Sequence, residues 1–155
     1  MKALTFVLAV ASLVLVSITS AAAPQDESVH KDRKLIEGTW RITALEISGN
    51  SAKPEDARKL AVLNGPDNTW SLLSEGQVVA KGTNAFDPTK QPKTIEFAVT
   101  EGGGNGNKYH GIYELGEKTR RLCFAPADKL RPTEFQSTAG SDNILVTFER
   151  EMKKP

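Results

Sequence analysis

The feature that most constrains the fold of this chain is a series of short segments in which apolar and polar residues alternate. The series begins at Gly38-Thr39-Trp40 and ends with a segment that runs to Arg150. Alternation with a period of two indicates strands with one buried face, and short turns between strands join antiparallel neighbours. A Gly-x-Trp start and an Arg-terminated last strand favour one sheet closed into a barrel.

The turn residues divide the series into eight predicted strands. Their ranges are 39–47, 59–63, 69–74, 77–86, 94–100, 109–115, 121–125 and 143–150. Between the first two, Pro54 precedes the acidic Glu55 and Asp56, an order typical of the first turn of a helix. The sequence therefore predicts an all-β fold, a single antiparallel up-and-down eight-stranded barrel with one short helix between strands 1 and 2. That helix could cover one mouth of the barrel.

The first 22 residues have the composition of a signal peptide. Lys2 precedes an uncharged apolar run over 3–18, and small residues follow over 19–23. We expect cleavage before Ala23 and a secreted or periplasmic protein that contacts a membrane only before cleavage. The alternative is an uncleaved anchor, because the apolar run lies near the lower limit of about 17 residues for a spanning helix.

The next segment, 23–37, is predicted to be a disordered leader followed by a short plug. It is polar and charged up to about Asp32, so it has little apolar surface to bury. A single helical turn over 34–37 would place Leu35 and Ile36 against one end of the barrel. The barrel domain is then predicted over 38–151, with a tail over 152–155.

Composition excludes several classes of function. The chain has 20 basic and 19 acidic residues, which offers no electrostatic basis for binding nucleic acid. Cys123 is the only cysteine, so no intramolecular disulfide can form. One cysteine and His110 are too few ligands for a structural zinc site, and we predict neither a metal nor a cofactor.

The two terminal strands suggest how the barrel closes. If they pair, the Arg150 guanidinium can lie over the Trp40 ring, a cation–π contact worth roughly 0.5 to 2 kcal/mol. The alternative is that Trp40 is an ordinary core residue and Arg150 is solvated. The residues expected to face inward are Trp40, Ile42 and Ala44 on the first strand and Ile144, Val146, Phe148 and Arg150 on the last.

Four short runs resemble an uncharacterised family of secreted, lipocalin-like proteins of planctomycetes. They are Gly38-Thr39-Trp40-Arg41-Ile42, Gly111-Ile112-Tyr113-Glu114-Leu115, Leu122-Cys123-Phe124-Ala125-Pro126 and Arg131-Pro132-Thr133-Glu134-Phe135. The resemblance covers nearly all of the chain after the predicted signal peptide. It implies secretion and a lipocalin-like barrel, and it implies no activity. The chain is shorter than ordinary lipocalins and lacks their disulfide cysteines, which argues against a deep, roomy cavity.

The barrel interior is the first candidate site. Its predicted lining residues are apolar or amphipathic and would suit an apolar guest: Leu72, Ile95, Phe97, Val99, Tyr113, Phe124, Val146 and Phe148. The Tyr109 and Tyr113 phenols could orient a polar head group. Our leading hypothesis is a binding protein, not an enzyme, that takes a small apolar or amphipathic ligand in this lumen. The alternative is a filled barrel that acts through its outer surface as an interaction or cell-envelope module.

Three other features are weaker candidates. Cys123 with His110 as a base would support lumen hydrolase or isomerase chemistry only if both side chains faced inward; otherwise Cys123 is a small buried hydrophobe. The glycine-rich loop 102–108 does not match a phosphate-binding loop and is better interpreted as a hairpin tip that gates the barrel mouth. Arg131 is a surface candidate for an anion or a protein partner, unless it pairs with Glu134 or a barrel carbonyl.

Overall fold

The computed structural model describes residues 24–152, and the predicted signal peptide lies outside them, as do the last three residues. The helices are α1, Pro24–Ile36, and α2, Pro54–Ala57. The strands are β1 (Gly38–Ile47), β2 (Asn50–Ser51), β3 (Leu60–Asn64), β4 (Thr69–Ser74), β5 (Gln77–Asp87), β6 (Lys93–Gly102), β7 (Lys108–Leu115), β8 (Thr119–Pro126) and β9 (Ile144–Arg150).

Eight of these strands form one closed antiparallel barrel. From β3 to β9 each strand pairs with the next along the chain, β3 also pairs with β1, and β9 returns to β1. The closing ladder runs from Trp40 opposite Arg150 to Ile47 opposite Ile144. The predicted fold class is thus confirmed, including the short helix α2. The two-residue β2 was not predicted, and it extends β1 only as a hairpin.

The segment predicted to be a disordered leader is a helix. Asp26 and Glu27 lie in the first turn of α1, whereas Arg33 and Lys34 lie in the last turn, so their charges complement the helix dipole. Further along, Asp32 is buried against the barrel. The prediction was wrong because a polar helix can be stabilised by a few tertiary contacts that its own composition does not reveal.

Asp32 joins α1 to the barrel wall. The Tyr113 hydroxyl donates a hydrogen bond of 2.6 Å to Asp32 Oδ2, and Lys93 Nζ lies 2.8 Å from the same oxygen. Burial, together with this hydrogen bond, raises the pKa of Tyr113 above its usual value. The phenol is therefore a permanent donor at neutral pH, and α1 closes this end of the barrel.

The first and last strands hold the carboxyl end of α1. The Arg150 guanidinium lies 4.3 Å from the centroid of the Trp40 ring, as the sequence predicted. Trp40 Nε1 donates to the Ile36 carbonyl at 2.7 Å, while Arg150 donates to the carbonyls of Leu35 and Glu37. The last carbonyls of a helix have no partner within the helix. Trp40 and Arg150 supply those partners, and they therefore fix the helix to the seam of the barrel.

One expected inward residue faces outward because β1 contains a bulge. The register with β9 shifts between Ile42 and Ala44, so Leu45, not Ala44, lies opposite Val146. An extra residue in one strand reverses the alternation beyond it. Ala44 is exposed and Leu45 packs against the core, which corrects the predicted face of Ala44.

Trp40→Ala tests this closure. The Trp40 side chain is fully buried, so we expect its truncation to lower the free energy of unfolding by about 3 to 5 kcal/mol. Chemical denaturation followed by circular dichroism measures the change. Leu130→Ala is the control, because Leu130 is 92% exposed and its loss should change stability by less than about 0.5 kcal/mol. A cost below about 1 kcal/mol for Trp40→Ala would contradict a structural role for the ring.

Candidate functional site

The barrel encloses a cavity of about 280 Å³. Its wall is made mainly of apolar side chains from β1 and from all seven strands β3 to β9. Five of the six residues that the sequence proposed as ligand-binding line this cavity: Leu72, Phe97, Val99, Phe124 and Phe148. Ile95 and Val146 line it as well. The alternation of inward and outward residues was sufficient to find these positions.

Tyr113 is the exception among the proposed lining residues. It is buried beneath the cavity, and its hydroxyl is turned toward Asp32 of α1. It is therefore not placed to orient the head group of a ligand in the lumen. Tyr109 does line the cavity, at the other end of β7.

The two ends of the lumen differ. At the α1 end Trp40, Ile95 and Phe148 are nearly inaccessible to solvent. At the far end the lining residues Leu60 and Ile144 are only partly buried. Partial exposure of residues that also line the cavity indicates that the lumen opens away from α1.

Two elements border the open end. Gly103 from the glycine-rich loop lines the cavity there, as expected for a loop at the barrel mouth. Ala57 of α2 is buried in the hydrophobic core, so α2 covers part of the same end. Both elements are short segments that border an opening to solvent, and neither contributes a charged side chain to the cavity lining.

An aromatic cluster forms one side of the wall. The Phe97 ring is stacked on Tyr109 with centroids 5.0 Å apart, and it meets Phe124 edge to face at 4.9 Å. Trp70 meets the same Phe97 ring edge to face at 6.0 Å. Such contacts fix the ring positions, so this side of the lumen is preformed.

Arg120 is the charged residue of the cavity lining, and sequence reasoning missed it. Its side chain is 4% exposed and its guanidinium carbon lies 4.9 Å from the centroid of the Phe148 ring. Arg120 Nε and Nη1 have no hydrogen-bond partner among residues 24–152. Burial lowers the pKa of Arg120 to about 10, so the side chain keeps its charge at neutral pH. The lining of the lumen therefore includes a buried cation that has no ion-pair partner among the described residues.

Two asparagines add neutral polar groups to the same cavity. Asn64 is 4% exposed, and neither its side-chain oxygen nor its side-chain nitrogen has a partner within the described chain. Asn84 also lines the cavity with an unpartnered side-chain oxygen. Buried polar groups without partners are uncommon in folded proteins, and they often mark functional positions.

The missed residues share a signal that was available in the sequence. The predicted strands ended at Leu63 and began at Arg121, one or two residues short of the observed ends of β3 and β8. Asn64 and Arg120 were therefore left outside the predicted strands. Extending the alternation of Leu122 and Phe124 by one step would have placed Arg120 on the inner face.

Cys123 and His110 do not meet inside the barrel. Cys123 alternates with the lining residues Leu122 and Phe124, and its thiol contacts the Gln136 carbonyl of the connection between β8 and β9. His110 Nε2 lies 2.8 Å from the Lys129 carbonyl of that connection. Both side chains are on the outside of the barrel, and burial raises the pKa of the Cys123 thiol. This geometry contradicts a lumen nucleophile made from these two residues.

Arg131 is engaged with the barrel wall. Its guanidinium donates to the carbonyls of Ile95 and Gly111 at 3.0 and 2.9 Å, and it pairs with Glu96 at 2.9 Å. These contacts fasten the connection between β8 and β9 to strands β6 and β7. Contact with barrel carbonyls was the structural alternative to an anion site at Arg131. The surface depression that it borders, of about 430 Å³, is open to solvent.

The fold and the site define a class: an up-and-down β-barrel with an apolar lumen, a closed end and an open end. Comparison with family models, with curated proteins and with solved structures yields no match for this chain. Within residues 24–152 no helix is long and apolar enough to cross a membrane. In the same range no three His, Cys, Asp or Glu residues are grouped so as to hold a metal ion.

Arg120→Met tests whether the buried charge is unfavourable for the fold. Methionine has a similar reach without the charge, so we expect the free energy of unfolding to rise by about 1 kcal/mol or more despite the lost Phe148 contact. Chemical denaturation measures the change. Arg121→Met is the matched control, because Arg121 faces outward and pairs with Glu114. We expect no stabilisation there. A large loss of stability in Arg120→Met would show that the guanidinium has an essential partner.

Proposed function

We propose that this protein is a secreted lipocalin-like binding protein that takes a small apolar or amphipathic molecule into the barrel lumen. The observation that carries the proposal is the apolar cavity of about 280 Å³ inside a closed barrel. Ligand pockets usually measure about 300 to 1,000 Å³, so this one suits a small guest. At the liquid volume of about 30 Å³ per water, it has room for on the order of ten non-hydrogen atoms.

The wall of the cavity favours a binding function over a purely structural core. The aromatic cluster around Phe97 holds its rings in fixed contacts, yet the space enclosed beside it is not filled by side chains. Protein interiors are close-packed, and empty apolar space costs stability. A barrel that acted only through its outer surface would gain stability by filling this space. That surface function is the alternative, and we rank it second because the lumen is not filled.

Secretion and family membership belong to the same proposal. They are supported by the composition of residues 1–22 and by the four runs that resemble secreted lipocalin-like proteins of planctomycetes. Exported protein would meet its ligand outside the cytoplasm. The architecture agrees with this family, since lipocalins are also eight-stranded up-and-down barrels.

Native mass spectrometry tests ligand binding. Protein exported by a heterologous host and purified without detergent is expected to carry an adduct that leaves on denaturation. Leu72→Trp should fill part of the lumen and abolish the adduct, because Leu72 lines the cavity. Ser71→Trp is the matched control, as the neighbouring residue on β4 that does not line the cavity. Bare protein that also takes up no 1-octanol would contradict the proposal and favour a surface function.

Export itself is tested by amino-terminal sequencing. Full-length protein produced in a bacterial host is expected to accumulate outside the cytoplasm and to begin at Ala23. The expectation follows from the small residues that end the apolar run, which suit a signal peptidase. Lengthening the apolar run is the control, since it should favour a membrane anchor. Soluble cytoplasmic protein that keeps its first residues would contradict secretion.

A further inference from the structure

Arg120 adds a positive charge to the lining of the lumen. It is the one charged side chain among the described residues that line the cavity. Its guanidinium faces the Phe148 ring, and a stacked guanidinium keeps its N–H groups at its edges. Two of the three nitrogens at those edges have no partner within the described chain. The side chain is thus held by its contact with the Phe148 ring, and its charge has no counter-ion within the described chain.

Nearby carboxylates do not neutralise Arg120. None of the ion pairs among residues 24–152 includes it. Asp32, the buried carboxylate on α1, is already shared by Tyr113 and Lys93. A buried charge without a partner is unfavourable, and a bound anion would relieve that cost. A ligand with a negative charge would therefore relieve more of this cost than a neutral ligand of the same size.

The register places Arg120 and Asn64 toward the closed end of the barrel, on two strands that are not neighbours. Arg120 pairs with Phe148 near the end of β9, where Arg150 contacts Trp40. Asn64 is the last residue of β3 and pairs with Gly38 at the start of β1. Both therefore lie toward the α1 end, whereas the lining near the open end is apolar or aromatic. A ligand that follows this pattern enters with its head group first.

We infer that the ligand is a short-chain amphiphile with a single carboxylate, bound through Arg120 and Asn64, with its aliphatic tail pointing to the barrel mouth. This inference rests on the lumen-binding function proposed above. One cation balances one negative charge, whereas a phosphate monoester would leave a second charge buried. The planar guanidinium also matches a carboxylate in geometry, and the Asn64 amide can donate to the same group.

Isothermal titration calorimetry with matched ligands tests the inference. Octanoate has ten non-hydrogen atoms, which suits the volume, and 1-octanol is its neutral counterpart. We expect the purified protein to bind octanoate roughly tenfold or more tightly than 1-octanol, because hydrogen bonds to charged groups are strong. Octyl phosphate should bind more weakly than octanoate. Octylammonium should bind more weakly than 1-octanol, since it brings a second cation to the buried guanidinium.

Substitutions then test which residues cause the preference for octanoate over 1-octanol. Arg120→Met should lose the preference for octanoate over 1-octanol, whereas Arg121→Met should keep it. Asn64→Leu should reduce octanoate affinity several-fold. Thermal unfolding confirms that each variant is folded. If Arg120→Met fails to fold, Arg120→Lys replaces it. Lysine retains the charge but lacks the planar guanidinium, so this variant should weaken the binding of octanoate more than that of 1-octanol.

The outcomes separate this inference from the function on which it rests. Equal affinity for octanoate and 1-octanol, or a preference that survives in Arg120→Met, overturns the carboxylate site and leaves lumen binding standing. Tighter binding of octyl phosphate than of octanoate overturns the choice of head group. If neither octanoate nor 1-octanol binds, lumen binding and the carboxylate site are both wrong.

Discussion

The contact between Trp40 and Arg150 determines how the rest of the molecule is arranged. It lies where the first and last strands of the barrel meet, and the same two side chains bind the terminal carbonyls of α1. The contact therefore joins the ladder that closes the sheet to the end of the helix. A closed sheet has an inside, and a fixed helix closes one end of it. The lumen opens toward the far end, where the glycine-rich loop and α2 border it.

The lumen combines an apolar wall with buried polar groups that lack partners within the described chain, a combination that is unfavourable in an ordinary protein core. Its apolar walls lower the cost of a hydrophobic guest, yet Arg120 and Asn64 keep polar groups buried without protein partners. We expect those groups to make the free protein less stable than a fully apolar interior would. Functional sites commonly retain unfavourable groups of this kind, because the same groups gain most when a ligand arrives. Under the proposed function, Arg120 and Asn64 are explained by the ligand. The apolar lining residues supply the core of the barrel without them.

Much of the fold was predictable because strand signals are local. All eight barrel strands and α2 were found from alternation and turn residues, and the contact between Trp40 and Arg150 followed from their places in the terminal strands. Five of the six proposed lumen residues line the cavity. The errors occurred where long-range contacts override local pattern. Asp32 orders a helix that its composition did not predict, the bulge near Ala44 reverses a face, and Tyr113 turns toward α1. Arg120 and Asn64 were lost because polar residues at strand ends resemble turns.

The sequence by itself determined the class of fold and the apolar character of the interior, because the period of two records which face of each strand is buried. It also predicted a signal peptide from composition alone. Only the tertiary structure decided which end of the barrel is closed, how much space remains inside and which polar groups lie there. Those properties depend on strand register and on contacts such as that between Asp32 and Tyr113, far apart in the chain. The charge of Arg120 matters because the side chain is buried and has no partner among the described residues. Neither property can be inferred from a single position in the sequence.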